Sequence, residues 1–207
     1  MKYLLIVLCF VSTFAFAQKV DTVIVNSVYT SYFSKTYKNP LYVSYKIYKA
    51  GGKCDRNKEE FHFKNDTKLA TATPKDYAGS GYDEGHLADA ADFSADCKRE
   101  ELTFRFYNCV PQTHNLNAGV WKHWETVVRE ESQNDSLLIV CGSVFGSSTI
   151  GTNKVAVPDY CWKVVKSLTT GKITHVLWFT NTKTDNKDKV LNSVEELYSL
   201  TKYKFGI

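Results

Sequence analysis

Glycine and proline are scarce in this sequence, with 11 and 4 residues among 207. Their scarcity excludes collagen-like and low-complexity chains, and an apolar content of 43% argues against intrinsic disorder. No apolar run approaches the roughly 20 residues of a transmembrane helix, and no internal repeat or linker divides the chain. The net charge of +4 permits an acidic partner but does not identify one. The sequence therefore predicts one folded domain without a membrane span, long enough to bury its own core.

The N-terminus is the one segment with a targeting pattern. Lys2 precedes the apolar run from Tyr3 to Val11, and Ala15-Phe16-Ala17 supplies the small residues of a cleavage site before Gln18. We interpret residues 1–17 as a signal peptide and residues 18–207 as a single domain. The mature protein is then expected in the periplasm or outside the cell.

The spacing of the cysteines matches no zinc motif such as C-x-x-C. Five of the six cysteines follow the signal peptide: Cys54, Cys97, Cys109, Cys141 and Cys161. Because five is odd, at least one has no disulfide partner within a monomer. Export permits disulfides, and the pair we predict is Cys141 with Cys161, which flank the ends of two apparent neighbouring strands.

Short runs rich in β-branched and aromatic residues recur along the chain and end at Gly, Asn, Asp or Ser. The predicted strands are Thr22–Val25, Leu41–Tyr48, Leu102–Tyr107, Leu137–Val140, Lys154–Val157, Tyr160–Val165 and Ile173–Phe179. A 3.6-residue apolar period predicts a helix from Asn117 to Glu131. Ser193 with Glu196 predicts a capping box that opens a helix ending at Leu200. The expected fold class is α+β, with a central, mostly antiparallel sheet and flanking helices.

The segment from Tyr82 to Phe93 carries the chemistry, because His86 follows a glycine there among several carboxylates. An isolated histidine is more often an ordinary surface or core residue. Here, however, a second element of the motif follows His86 at the right distance. The predicted order is a strand with His86, a loop, a second strand, and a helix that begins with Asn117.

In this order the residues resemble the DNA/RNA non-specific endonucleases of the ββα-metal (His-Me finger) superfamily. The likeness covers most of the chain from about Arg56 onwards. Its main matches are Tyr82, Asp83, Gly85, His86, Leu87, Ala88, Ala90, Ala91, Asp92, Phe93, Asn108, Pro111, Gln112, Asn117, Gly119, Trp121 and Glu125.

The resemblance implies an enzyme that hydrolyses phosphodiester bonds in both DNA and RNA, with a ββα-metal motif as its active site. His86 is the implied general base, and the usual histidine pKa near 6.5 suits that role. Asn117 is the implied protein ligand of one divalent cation, Mg²⁺ or alternatively Mn²⁺. Mg²⁺ keeps most of its water ligands, so few protein ligands suffice.

Three further residues receive roles from the resemblance. Glu125 lies eight residues beyond Asn117, which on a helix is about 12 Å along the axis and about 80° around it. Both cannot then bind one ion directly, so Glu125 is expected to hold a water ligand of the metal. Asn108 is expected to position His86 or the phosphate. Arg56 is expected to contact the phosphate of the substrate, with Lys58 as the alternative.

Two residues depart from the family pattern: Glu84 stands where an arginine is usual, and Asp89 where a proline is usual. Glu84 is expected close to the bound substrate. Its carboxylate there either weakens phosphate binding or binds a second cation, unless it points away from the site. Since His86 and Asn117 are retained, we favour an active enzyme. The alternative is a nucleic-acid-binding module of the same fold with little or no turnover. No role is assigned to His114 and His123, which flank the site segment.

Overall fold

The computed structural model describes residues 18–55, 61–184 and 187–207. Its strands, in chain order, are β1 (Thr22–Val25), β2 (Tyr29–Ser34), β3 (Asn39–Ile47), β4 (Asp83–His86), β5 (Cys109–Gln112), β6 (Leu137–Ile150), β7 (Val155–Ser167), β8 (Ile173–Thr180) and β9 (Asp188–Val190). Its α-helices are α1 (Pro74–Tyr77), α2 (Cys97–Glu101), α3 (Lys122–Glu131) and α4 (Val194–Thr201). The predicted signal peptide and Arg56 lie outside the described residues.

Seven strands form one sheet in the order β1-β2-β3-β6-β7-β8-β9, and each neighbouring pair is antiparallel. The strands β4 and β5 pair separately as a second, two-stranded antiparallel sheet. This arrangement confirms the predicted α+β class with a mostly antiparallel sheet. No helix among the described residues is long and apolar enough to cross a bilayer.

One face of the large sheet supports the β4–β5 pair and α3. Val43, Cys141, Lys163 and Leu177 form a single row across the four central strands on this face. The thiol of Cys141 donates a hydrogen bond to the carbonyl oxygen of Leu87, at 3.0 Å, directly after β4. The central strands therefore form the floor on which the smaller sheet rests.

The opposite face is covered by the C-terminal segment. Phe205 stacks on Trp162 with the ring centroids 4.4 Å apart, and the hydroxyl of Tyr203 accepts a hydrogen bond from the indole of Trp162. The hydroxyl of Ser193 caps α4, as predicted, by accepting from the backbone N–H of Glu196 at 3.2 Å. The Glu196 carboxylate accepts from the backbone N–H of Asn192, so the structure confirms one half of the predicted capping box.

The strand predicted at Leu102–Tyr107 is wrong, because the chain forms consecutive turns there. The backbone N–H and the hydroxyl of Thr103 both donate to the carbonyl of Glu100, at 2.9 and 2.7 Å. The N–H of Phe104 donates to the carbonyl of Glu101. These local hydrogen bonds compete with strand pairing, and the second strand of the small sheet begins later, at β5.

The predicted pairing of Cys141 with Cys161 is also wrong. The two strands are neighbours, but Cys141 lies opposite Lys163, and Cys161 lies opposite Ser143. The register thus offsets the two thiols by two residues, and both are free and buried. The disulfide instead joins Cys54 to Cys97. The two strands predicted around Pro158 are one continuous strand, β7.

Candidate active site

The end of β4 presents His86 to a cleft. Its imidazole packs against two aromatic rings, with centroid distances of 4.6 Å to Phe63 and 4.7 Å to Phe104. The preceding Gly85 is buried, and a Cβ there would lie 2.2 Å from the amide oxygen of Gln112. Glycine is therefore required by this close approach of β5, and the ring of His86 has a defined position.

Asn108 is buried immediately before β5 and binds the chain that follows His86. Its amide oxygen accepts from the backbone N–H of Ala88 at 2.9 Å, and its amide nitrogen donates to the carbonyls of Ala88 and Thr103. The backbone N–H of Leu87 donates to the carbonyl of Asn108 at 2.8 Å. These contacts suit the first of its two expected roles, positioning His86, rather than a contact with phosphate.

Asn117 lies in a π-type turn, Leu116–Trp121, that leads into α3. Such turns are often found at functional sites, and this one is interrupted at Gly119, where φ is −102° and ψ is −114°. The amide nitrogen of Asn117 donates to the carboxylate of Asp83 at 3.0 Å. Because that contact uses the nitrogen, the carbonyl oxygen of the amide is the atom left for a ligand.

Glu125 lies on α3 and faces the same cleft as His86 and Asn117. The cleft has a volume of about 370 Å³, and its lining also includes Asp89 and Arg129. Burial and the nearby Asp89 raise the pKa of the Glu125 carboxyl well above its usual range. Three of the residues expected from the sequence therefore come together around one opening.

A group of charged side chains not expected from the sequence lies at the inner end of the cleft. Arg129 contacts the carboxylate of Asp89 and donates to the carboxylate of Asp92 at 3.0 Å. Burial and Asp89 raise the pKa of Asp92 to about 8. The aspartate that replaces the usual proline thus gains an ion-pair partner, which sequence patterns did not indicate.

Lys163 lies directly beneath this group, on β7. Its side chain is 1% exposed, and its ammonium group lies 4.4 Å from the centroid of the Trp121 ring. Although burial raises the pKa of Glu125 and Asp92, the charge of Lys163 opposes that effect. A buried lysine therefore lies close to the carboxyls of Glu125 and Asp92.

The structure describes only one of the two residues that were expected to bind the substrate. Arg56 falls outside the described residues. Glu84 is half-buried and is not part of the cleft lining, although it precedes His86 by two residues and so shares its face of β4. Burial and the neighbouring Asp83 raise the pKa of the Glu84 carboxyl.

Sequence reasoning assigned no role to Asp83 or His114, which the structure places at the outer edge of the cleft. The Nδ1 atom of His114 lies 2.8 Å from the same Asp83 oxygen that binds Asn117. Asp83 was recognised as part of the motif, but its contacts depend on how β4 and the π-type turn meet. Arg129 could have been found from its helical spacing, one turn after Glu125.

The chain matches known proteins over most of its length. A family model described as DNA/RNA non-specific endonuclease matches residues 11–206. A nuclease from Nostoc sp. is 35% identical over 148 residues, which are 64% of this chain and 53% of that protein. Human mitochondrial endonuclease G is 34% identical over 127 residues, which are 54% of this chain and 43% of that protein. The chain spans about half the length of these curated relatives.

A solved structure is similar in fold. The complex of EndoG with EndoGI, described as showing the mechanism of EndoG inhibition, contains a chain that superimposes with a TM-score of 0.74. The match covers 88% of this chain and 84% of that chain, at 23% sequence identity. At this identity the likeness establishes the fold, and the chemistry has to be argued from the residues.

Proposed function

The chain belongs to the DNA/RNA non-specific endonuclease family, and we propose that it hydrolyses internal phosphodiester bonds of DNA and RNA. The observation that carries the proposal is the meeting of His86, Asn117 and Glu125 around one cleft. These residues come from a strand, a π-type turn and a helix, so only the folded chain brings them together. We also propose that the protein is exported and that cleavage after residue 17 releases it.

His86 is the proposed general base, which takes a proton from the attacking water. The aromatic rings of Phe63 and Phe104 restrict the imidazole, and Asn108 fixes the backbone that follows it. A base held in one orientation does not have to be ordered during the reaction. Asn108 therefore acts as a positioning residue.

Asn117 is the proposed ligand of a divalent cation. Among the described residues, no group of three or more His, Cys, Asp or Glu side chains has the arrangement of a metal site. A single amide oxygen fits Mg²⁺, or Mn²⁺, because Mg²⁺ is commonly bound through few protein atoms and several waters. When bound, the cation supplies positive charge to the phosphate and to the departing oxygen. Asp83 accepts from the amide nitrogen, which leaves the amide oxygen available for the cation.

Glu125 is proposed to accept hydrogen bonds from water in the cleft. A carboxylate does so best when ionised, whereas burial and Asp89 raise the pKa of this group. Lys163 and Arg129 oppose that rise. The two cations therefore limit the rise in the pKa of Glu125 without reversing it. Arg56, with Lys58 as the alternative, is the proposed phosphate contact.

Cleavage of several nucleic acids tests this function. We expect residues 18–207 to cut double-stranded DNA, single-stranded DNA and RNA in Mg²⁺, with little sequence preference and with rates that fall as salt rises. Contacts to the backbone carry affinity but no sequence information. Gel electrophoresis of the three substrates, with Mg²⁺ or with excess EDTA, measures this. Full activity in EDTA would remove the metal from the proposal, whereas binding without cleavage would support a non-catalytic module.

The variant Glu84→Arg tests the residue that departs from the family pattern. If Glu84 faces the substrate, its carboxylate repels phosphate and stabilises a protonated imidazole at His86, because opposite charges nearby favour the charged form. Arginine reverses both effects. We expect a lower KM, a steeper salt dependence, and a shift of the lower limb of the pH–rate profile to lower pH. An unchanged KM and an unmoved profile would mean that Glu84 does not act on the substrate.

A further inference from the structure

The outer edge of the cleft carries a second, exposed histidine next to the proposed metal ligand. The His114 side chain is 77% exposed, yet its Nδ1 atom is held 2.8 Å from Asp83. The same carboxylate oxygen accepts from the amide of Asn117 at 3.0 Å. A fixed but solvent-accessible imidazole therefore lies beside the position where a phosphate has to arrive.

The hydrogen-bonding capacity of Asp83 determines which edge of the imidazole faces outward. An ionised carboxylate only accepts hydrogen bonds, so Nδ1 of His114 carries the hydrogen of their contact. The Nε2 atom then lies on the far, exposed edge of the ring. When it is protonated, it offers an N–H with positive charge, which is a strong donor to a phosphate oxygen.

The adjoining chain adds a lysine to this edge. The amide of Asn115 donates to the backbone carbonyl of Lys183 at 3.5 Å, which attaches the segment after β8 to the residue that follows His114. The ammonium group of Lys183 lies 5.0 Å from the centroid of the Tyr82 ring, directly before β4. We call His114 and Lys183 together the basic rim.

The inner end of the cleft has a different charge distribution. Arg129 contacts both Asp89 and Asp92, so its guanidinium is already committed to carboxylates there. At the opposite edge, Lys183 and a protonated His114 attract an incoming polyanion. A phosphate can therefore contact the rim, whereas Arg129 is occupied by carboxylates.

We propose that the basic rim binds the phosphate next to the scissile one, with His114 as its main contact. The proposal rests on the proposed function, and it assigns to the site a substrate-binding group that the family motif does not contain. A backbone phosphate is the ligand in both DNA and RNA, so the contact carries no preference for either.

Oligonucleotide binding in EDTA tests the rim without turnover and without metal. The probe is a fluorescein-labelled single-stranded DNA of mixed sequence, titrated at pH 6 with the wild-type chain and with the variants His114→Gln, His114→Lys and His123→Gln. His123 is the matched control, because it is an exposed histidine of α3 outside the cleft lining. Anisotropy at several salt concentrations gives both affinity and salt slope.

We expect His114→Gln to weaken binding about three- to tenfold, and to reduce the slope of log K against log salt by about 0.7, the value for one lost phosphate contact on a single strand. His114→Lys should restore most of both quantities, and His123→Gln should change neither. Equal affinity and slope for His114→Gln and His123→Gln would overturn the proposal.

The Mg²⁺ concentration for half-maximal cleavage distinguishes phosphate binding by the basic rim from a purely structural role of His114. If His114 acts only by orienting Asp83 and Asn117, His114→Gln should raise that concentration while oligonucleotide affinity stays unchanged, which also overturns the proposal. A wild-type chain that neither binds nor cleaves would refute the proposed function itself. A wild type that cleaves normally, together with an unaffected His114→Gln, would refute the rim alone.

Discussion

Replacing His86 with alanine is expected to lower the rate of plasmid cleavage by about 10²–10⁴-fold, the usual loss when a general base is removed. The substitution takes away the group that accepts the proton from water, while the cation site at Asn117 stays intact. The concentration of Mg²⁺ at half-maximal rate should therefore remain that of the wild type. Single-turnover nicking of supercoiled plasmid across a range of Mg²⁺ concentrations measures both quantities.

The packing of His86 makes a second variant necessary. Its ring contacts Phe63 and Phe104, so alanine also removes buried contacts and is expected to lower the thermal midpoint. His86→Gln fills more of that space but cannot serve as the base. It should be as inactive as His86→Ala while melting closer to the wild type. Wild-type rates in either variant would show that the base is another residue, with His114 and His123 as the next histidines to examine.

Replacing Asn117 with alanine is expected to raise the Mg²⁺ concentration for half-maximal cleavage by at least about tenfold, since changes even to residues that support metal ligands cost about 10–100-fold in affinity. The variant loses the amide oxygen proposed to bind the cation and also the hydrogen bond to Asp83. High Mg²⁺, or Mn²⁺ in its place, should partly restore the rate. Cleavage assays with each ion over a wide concentration range check this expectation.

Asp83→Asn is the informative companion to that variant. Its amide can still accept from Asn117, but it carries no charge, so a smaller shift of the Mg²⁺ curve is expected than for Asn117→Ala. The order of the two shifts tests whether Asp83 positions the ligand. If Asn117→Ala leaves the metal-activation curve unchanged, the cation is held elsewhere.

Much of the fold follows from local patterns in the sequence. The apolar period from Asn117 to Glu131 marked α3, although residues 117–121 lie in the π-type turn before it. Runs rich in β-branched and aromatic residues marked most strands of the large sheet. The prediction failed at Leu102–Tyr107, because hydrogen bonds of Thr103 and Phe104 with the end of α2 outweigh the propensity of that segment for strand. The predicted disulfide failed because the register of β6 and β7, which local patterns do not reveal, places Cys141 opposite Lys163.

The residues of the candidate site were predictable from the sequence, but the contacts between them were not. The motif around His86 and Asn117 named residues that the structure brings to one cleft. The shared contact of Asp83 with His114 and Asn117, and the pairing of Asp89 with Arg129, join segments that are about 30 to 40 residues apart. Such contacts depend on tertiary packing, which no local pattern encodes.

The central claim is that His86 and Asn117 perform separate tasks in one active site. A single Mg²⁺ titration of plasmid nicking, with the wild type, His86→Ala and Asn117→Ala side by side, tests it most directly. For His86→Ala we expect a greatly lowered maximal rate at an unchanged Mg²⁺ concentration for half-maximal rate. For Asn117→Ala we expect that Mg²⁺ concentration to rise, with partial recovery of the rate at high Mg²⁺. Wild-type curves for both variants, or the same change in both, would contradict it.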